Sequence, residues 1–308
     1  MSRCNRAFRT DLPLRLLFEE PTIEGMARVL RGQPRASAFS PLVPLQPEGF
    51  KPPLFCIHPA GGTVFCYMNL ARSLAPDQPV YGLQASGLEP NEPVATSLDQ
   101  MAKEYLAAIR AMRPHGPYHL LGWSFGGLVA QAMARRLREM GETVAVLALL
   151  DTLPVARYGG TEPTDETILA ELGNVLAAGL TERPASVDSL PELIAVARAS
   201  GIFPSDFSTA QAERLLAVYS QTVRLPLSYR PERYQGDAIL FAAADSSNPE
   251  RLTEDWRPFI AGAITTIAIP CDHDDMTTPD SSARIAAVLA AAIQSDLPEP
   301  GEDLVAAK

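Results

Sequence analysis

Residues 118–137 constrain the fold more than any other stretch. Tyr118-His119-Leu120-Leu121 reads as a short buried strand. Gly122-Trp123-Ser124-Phe125-Gly126-Gly127 follows, and residues 128–137 carry a helical pattern. Strand, Gly-x-Ser-x-Gly and helix, in that order, describe a nucleophile elbow. The reason is steric. A strand that reverses sharply into a helix strains the residue at the turn and lifts its side chain clear of the sheet. Neighbouring backbone closes in on the flanking positions, so Gly122 and Gly126 have room for no side chain. The N–H of Phe125 falls at the helix N-terminus, where partial positive charge favours an oxyanion. Without both flanks the same five residues would read as an ordinary Gly/Ser turn.

The rest of the chain has to supply the sheet around that elbow. Its 308 residues, 46% hydrophobic and 20% charged, are enough for one large α/β domain plus a small appendage. A net charge of −10 argues against a non-specific nucleic-acid binder. No uncharged apolar run reaches the roughly 18 residues a membrane helix needs. Met1-Ser2-Arg3-Cys4-Asn5-Arg6 has no apolar run behind it, so no signal peptide is read there. Cys4, Cys56, Cys66 and Cys271 lack metal or disulfide spacing and read as reduced thiols of a cytosolic protein.

Residues 1–35 read as a small unit of their own, with Thr22 placed to cap a helix carrying apolar residues at 23, 26, 27 and 30. Residues 36–52 contain Pro41, Pro44, Pro47 and Pro52 and few apolar repeats, the composition of a semi-rigid linker. The main domain is expected over 53–295, with 296–308 a frayed tail. Residues 53–57 read as a strand ending in His58-Pro59-Ala60-Gly61-Gly62, ahead of a helix over 64–74. Residues 80–85 form another strand, and Ser97 caps a helix over 98–112. Residues 144–150 are a fully apolar, parallel-type strand ending in Asp151. Residues 237–244 form a strand ending in Asp245. Residues 264–269 run into His273, and a helix over 281–293 closes the domain. The alternation predicts an α/β fold with a mostly parallel, doubly wound sheet. It stops at about 157–230, where roughly three helical patterns stand with little strand signal. A helical insertion at the active edge is the usual form of a lid; a packing unit without a gating role is the alternative.

Ser124 follows one strand, an aspartate follows a later one, and His273 follows the last. That is the chain order of an α/β-hydrolase. A serine hydroxyl is a weak nucleophile until a base takes its proton. His273 is the only histidine after the elbow, which makes it the base by elimination. His58 precedes the nucleophile and is read as shaping its loop. The acid orients the imidazole and steadies the imidazolium. Spacing leaves Asp151 and Asp245 equal for that role. Asp272, Asp274 and Asp275 are sequence neighbours of His273 and read as loop-shaping. The loop after the first domain strand supplies a second oxyanion N–H in this fold, with Ala60 the candidate donor.

From residue 53 to about 293 the chain resembles the type I thioesterase domains that terminate non-ribosomal peptide synthetases. The matching stretches are Phe55-Cys56-Ile57-His58-Pro59-Ala60-Gly61-Gly62, Tyr67-Met68-Asn69-Leu70, Pro79-Val80-Tyr81-Gly82-Leu83-Gln84, the run from Gly116 to Gly127, Leu149-Leu150-Asp151 and the His273 loop. The resemblance implies an α/β-hydrolase fold with a helical lid. It also implies a triad of Ser124, Asp151 and His273, so it selects Asp151 over Asp245, with Ala60 and Phe125 as oxyanion donors. One departure is Cys271-Asp272, where the family often has glycine before the histidine.

Residues 1–35 resemble the C-terminal end of a peptidyl carrier domain, through Leu12-Pro13-Leu14-Arg15 and Pro21-Thr22-Ile23. The carrier's Gly-Gly-(His/Asp)-Ser motif is absent, so no serine here would hold the phosphopantetheine arm. The implied function is chain-terminating release of a peptidyl chain from a carrier's phosphopantetheine thioester, through acyl-Ser124, by macrocyclisation or hydrolysis. The implied partner is the upstream peptidyl carrier domain, in the cytoplasm, with no nucleic acid, membrane, metal or cofactor of its own. Two other readings are a stand-alone editing thioesterase and a catalytically silent carrier-docking module. The carrier-like end and linker argue against the first, and the intact Ser, Asp and His against the second.

Overall fold

The computed structural model describes residues 2–8, 10, 12, 16, 20, 22–31, 40–90, 92–154, 162–177, 180, 182, 184–201, 203 and 206–294. The expected tail, 296–308, and residues 36–39 of the expected linker lie outside the described residues. Near the N-terminus the described residues include the helices α1 (Ser2–Phe8) and α2 (Ile23–Leu30). The Thr22 side chain accepts the Gly25 N–H and so caps α2.

The sheet is built from β1 (Leu42–Gln46), β2 (Leu54–Ile57), β3 (Val80–Leu83), β4 (Tyr118–Trp123), β5 (Val144–Leu150), β6 (Ala238–Ala243) and β7 (Ile264–Ile269). The strand order is β1-β3-β2-β4-β5-β6-β7. Every pairing from β3 to β7 is parallel. β1 is the correction to the linker expected over 36–52. It pairs antiparallel with β3, Leu42 opposite Leu83, and extends the sheet by one edge strand. Its one proline, Pro44, does not forbid this, because an edge strand has one side on which an N–H is not needed. Val43 and Leu45 point into the core while their neighbours are half-buried, which is the period of a strand.

Helices cover both faces, as a parallel sheet requires. Along β2, Leu54 and Cys56 face one core with α3 (Met68–Leu74) and α10 (Pro279–Gln294). Phe55 and Ile57 face the other, against α4 (Leu98–Met112), α5 (Phe125–Glu139) and α9 (Pro249–Trp256). Each fully buried Leu or Ile is worth about 1.5–3 kcal/mol, so both faces are anchored strongly. The helix α9 had no counterpart in the sequence reading. Its signal is Asn248-Pro249: the Asn248 side chain accepts the Arg251 N–H, and proline fits the first helical position.

Between β5 and β6, the described residues form α6 (Asp165–Ala177), α7 (Leu190–Ala199) and α8 (Thr209–Ser228). They share a hydrophobic cluster of their own, including Ile168, Leu172, Leu193, Leu215 and Tyr219. Ala60 and Leu88, from loops of the main domain, pack against that cluster.

Candidate active site

The carboxyl ends of the parallel strands lie at one edge, where open α/β sheets place their sites. Ser124 is the single residue between β4 and α5, at φ 55° and ψ −123°, a backbone conformation that L-residues avoid. Neighbours hold it there. Its N–H donates to the Leu150 carbonyl at 2.9 Å, and its carbonyl accepts the Thr152 hydroxyl at 3.0 Å. The helix passes so close to the strand that a Cβ on Gly122 would lie 2.2 Å from the Gly126 carbonyl. A Cβ on Gly126 would lie 2.4 Å from the Ile57 carbonyl oxygen. Both positions exclude any side chain, which is the physical content of the motif.

His273 opens a short 3-10 turn after β7. Its Nε2 lies 3.1 Å from the Ser124 Oγ, and its Nδ1 2.6 Å from the Asp151 Oδ2. A carboxylate can only accept, so Nδ1 carries the hydrogen and Nε2 presents its lone pair to the serine. Asp151 is 7% exposed and also has positive φ, 41°. Burial pushes its carboxyl up. Hydrogen bonds from His273, the Ala243 N–H and Ser247 outweigh this and hold it below the usual carboxylate range. It is therefore an anion facing the imidazole. Asp245, Asp272, Asp274 and Asp275 are all exposed. The Cys271-Asp272 departure is harmless to the backbone, since Asp272 sits at φ −78°, open to any residue.

The loop after β2 runs beside the elbow, because Ile57 pairs with Gly122. Phe125 is the first residue of α5, so its N–H has no partner within the helix. Neither the Ala60 nor the Phe125 N–H donates to another group among the described residues. His58 is fully buried. Its Nδ1 is 2.7 Å from the Pro59 carbonyl and its Nε2 is 2.7 Å from the Tyr105 hydroxyl. Its ring stacks on Phe125 with centroids 5.8 Å apart. Both ring nitrogens are occupied, which fits a loop-shaping role and leaves neither for proton transfer with a ligand.

Sequence reasoning missed the supports of this site. The buried Tyr67 hydroxyl accepts the Trp123 N–H at 2.9 Å and donates to the Ile57 carbonyl at 2.6 Å, tying β2 to the elbow. The Ser246 hydroxyl accepts the His273 N–H at 2.9 Å. Asn69 donates to the Thr277 carbonyl at 3.0 Å and pins the histidine loop to α3. Trp123 lies tilted against His273, ring centroids 5.6 Å apart. Among the described residues, no group of three or more His, Cys, Asp or Glu side chains is placed to hold a metal ion. No helix among them is long and apolar enough to cross a membrane.

A mostly parallel sheet places a strained serine between β4 and α5, and later strand ends bring it a histidine and an aspartate. These features define an α/β-hydrolase. The chain belongs to the thioesterase domain family, whose model matches residues 52–294. It is 37% identical over 304 residues, 96% of its length, to a dimodular nonribosomal peptide synthase of Bacillus subtilis (strain 168). It is 32% identical over 305 residues, 95% of its length, to enterobactin synthase component F of Escherichia coli O157:H7. The chain spans only 12% of the first protein and 22% of the second. Among solved structures, the Vlm2 thioesterase domain superposes with a TM-score of 0.64 at 25% identity, covering 81% of this chain and 96% of that one.

Proposed function

We propose that this chain ends a biosynthetic assembly line by releasing a peptidyl chain from the phosphopantetheine thioester of a carrier domain. The observation that carries the reading is the hydrogen-bonded series Ser124, His273, Asp151, with contacts of 3.1 and 2.6 Å. In the first half-reaction, the Ser124 Oγ attacks the thioester carbonyl while its proton passes to His273 Nε2. Asp151 steadies the imidazolium. The N–H groups of Ala60 and Phe125 receive the tetrahedral oxyanion, at roughly 3 kcal/mol per donor. The C–S bond then breaks, and His273 returns the proton to the departing thiol.

In the second half-reaction, the acceptor attacks the acyl carbon as His273 takes its proton; the acyl–Oγ bond then breaks and His273 returns that proton to the Ser124 oxygen. Water as acceptor gives an acid. An amine or hydroxyl of the peptide itself gives a ring. The helices α6 to α8 act as a lid that limits the access of water. The relatives are peptide synthetases, and residues 1–35 resemble a carrier end. Both support a carrier-bound peptide as the acyl donor and the upstream carrier domain as the partner. All four cysteines are free, which suits the cytoplasm.

A fluorophosphonate probe should label Ser124 in the folded protein. Ser124→Ala should lower turnover of a synthetic peptidyl thioester by at least about 10³-fold. Absence of labelling, or near-normal turnover by the variant, refutes the reading. Mass spectrometry of the product separates acid from ring.

A further inference from the structure

The helix α8 makes a series of contacts that an element lying loosely over the site would not need. Arg214, Val218 and Thr222 are spaced four residues apart and share one helix face. Arg214 Nε donates to the Leu88 carbonyl at 3.1 Å. Val218 packs so closely on the loop after β2 that a Cβ on Gly62 would lie 2.7 Å from its Cγ1. Thr222, 2% exposed, donates its hydroxyl to the Ala60 carbonyl at 2.6 Å. The same hydroxyl lies 2.9 Å from the Tyr219 carbonyl and 3.1 Å from the Val218 carbonyl. It has one hydrogen, and the shortest contact leads out of the helix to the loop.

Ala60 sits in a tight turn. The Gly62 N–H donates to the Pro59 carbonyl at 2.9 Å, so the Ala60–Gly61 peptide is the central peptide of a four-residue turn. A central peptide followed by glycine has two orientations open to it, differing by a rotation of roughly 180°. A Cβ on Gly61 would meet nothing within 4 Å, so packing around that residue does not choose between them. The peptide before it is already fixed, because the Pro59 carbonyl receives both the His58 ring and the Gly62 N–H. The Ala60 carbonyl is fixed by Thr222. The two anchors together set both backbone torsions of Ala60.

We propose that Thr222 is a positioning residue for the oxyanion loop: its hydroxyl holds the Ala60–Gly61 peptide in one orientation and so fixes the Ala60 carbonyl dipole beside the Ala60 N–H, which belongs to the preceding peptide. This makes one face of α8 part of the catalytic frame. The proposal rests on the acyl-serine reading above. Losing the hydroxyl frees the central peptide to turn its carbonyl dipole, which weakens a donor that matters only when negative charge develops. The effect therefore falls on kcat and spares KM.

The test compares Thr222→Val, which keeps the shape and removes the hydroxyl, with Thr222→Ser, which keeps the hydroxyl. With a peptidyl thioester substrate, Thr222→Val should lose about 10- to 100-fold in kcat, less than removal of a whole donor. KM should stay within about twofold, and Thr222→Ser should recover most of the rate. The rate of Ser124 labelling by a fluorophosphonate should fall in Thr222→Val in parallel, since attack at phosphorus also builds an oxyanion. Thr222→Ala replaces Thr222→Val in the comparison if the valine variant does not fold. Wild-type rates without the hydroxyl, a loss confined to KM, or no rescue by serine each overturn the proposal. Failure of the wild-type protein to label at all overturns instead the reading on which it rests.

Discussion

The buried ring of His58 makes the stability of this domain depend on pH in a calculable way. His58 is fully buried, and burial pulls its pKa from the ordinary 6.5 to about 4, against a smaller opposing effect of the Pro59 carbonyl. Between those two values the unfolded chain holds a proton that the folded one does not. Stability from this group is therefore complete above about pH 7.5 and lost as pH falls toward 4. The whole interval of about 2.5 pH units corresponds to about 3 kcal/mol, and at pH 5 about 2 kcal/mol is already gone. Urea unfolding of the wild-type protein and of His58→Gln at pH 8 and pH 5 isolates the contribution of His58, because the other titrating groups are common to both. Wild-type stability should fall by about 2 kcal/mol more than that of the variant. A ring-carbon NMR titration of the protein's four histidines gives a second reading: one should stay neutral down to about pH 5. Equal pH slopes in the two proteins, or four histidines all titrating near 6.5, would show that the site is not closed to the proton.

Three further outcomes follow from the geometry. Asp151→Asn should lower kcat by about 10⁴-fold, as expected when the imidazole loses its carboxylate, whereas Asp245→Asn should stay near the wild-type rate; steady-state kinetics decides. Gly126→Ala puts a Cβ 2.4 Å from the Ile57 carbonyl oxygen and should cost roughly 1–3 kcal/mol, read by thermal melting, together with slower probe labelling of Ser124. Tyr67→Phe strands the Trp123 N–H and the Ile57 carbonyl and should cost about 1–3 kcal/mol in urea unfolding.

What could be read from the sequence was local and periodic. The runs of β5 and β7 are apolar or β-branched along their whole length, that of β4 is apolar apart from His119 and Gly122, and each stands beside a helix with a clear apolar face. Their order alone gives the parallel core. The elbow was legible because two glycines and a strand–helix junction coincide. β1 was hidden by Pro44 within it and by Pro41 and Pro47 beside it; the cost of a proline within a strand disappears at a sheet edge. α9 was hidden by brevity, since eight residues carry little periodicity. The supports of the site were not legible for a different reason. Tyr67 reaches Trp123 across 56 residues, and Thr222 reaches Ala60 across 162. No local pattern encodes a hydroxyl that finds its partner only after the sheet and insertion have assembled.

The proposed acid is the one of two aspartates, equal in spacing, that strand order brings to His273. Asp151 and Asp245 each follow an apolar strand, and nothing local separates them. Strand order does. β5 lies directly beside β4, with Leu150 opposite Trp123, so the residue after β5 is next to the elbow. β6 lies one strand further out, about 4.8 Å more distant. Asp151 is also turned by its positive φ, and it donates its own N–H to the Phe241 carbonyl of β6 at 2.7 Å. The end of β6 then serves the carboxylate rather than replacing it: the Ala243 N–H donates to Asp151 Oδ1 at 3.1 Å, leaving Oδ2 for His273. Moving the acid to residue 245 would require a carboxylate to span that extra strand and would leave the Ala243 N–H without its acceptor. An Asp151→Ser, Asp245→Glu double variant should therefore recover less activity than its longer side chain suggests. Recovery to within about tenfold of wild type would show that reach, not the hydrogen-bond frame of β5 and β6, sets the position of the acid.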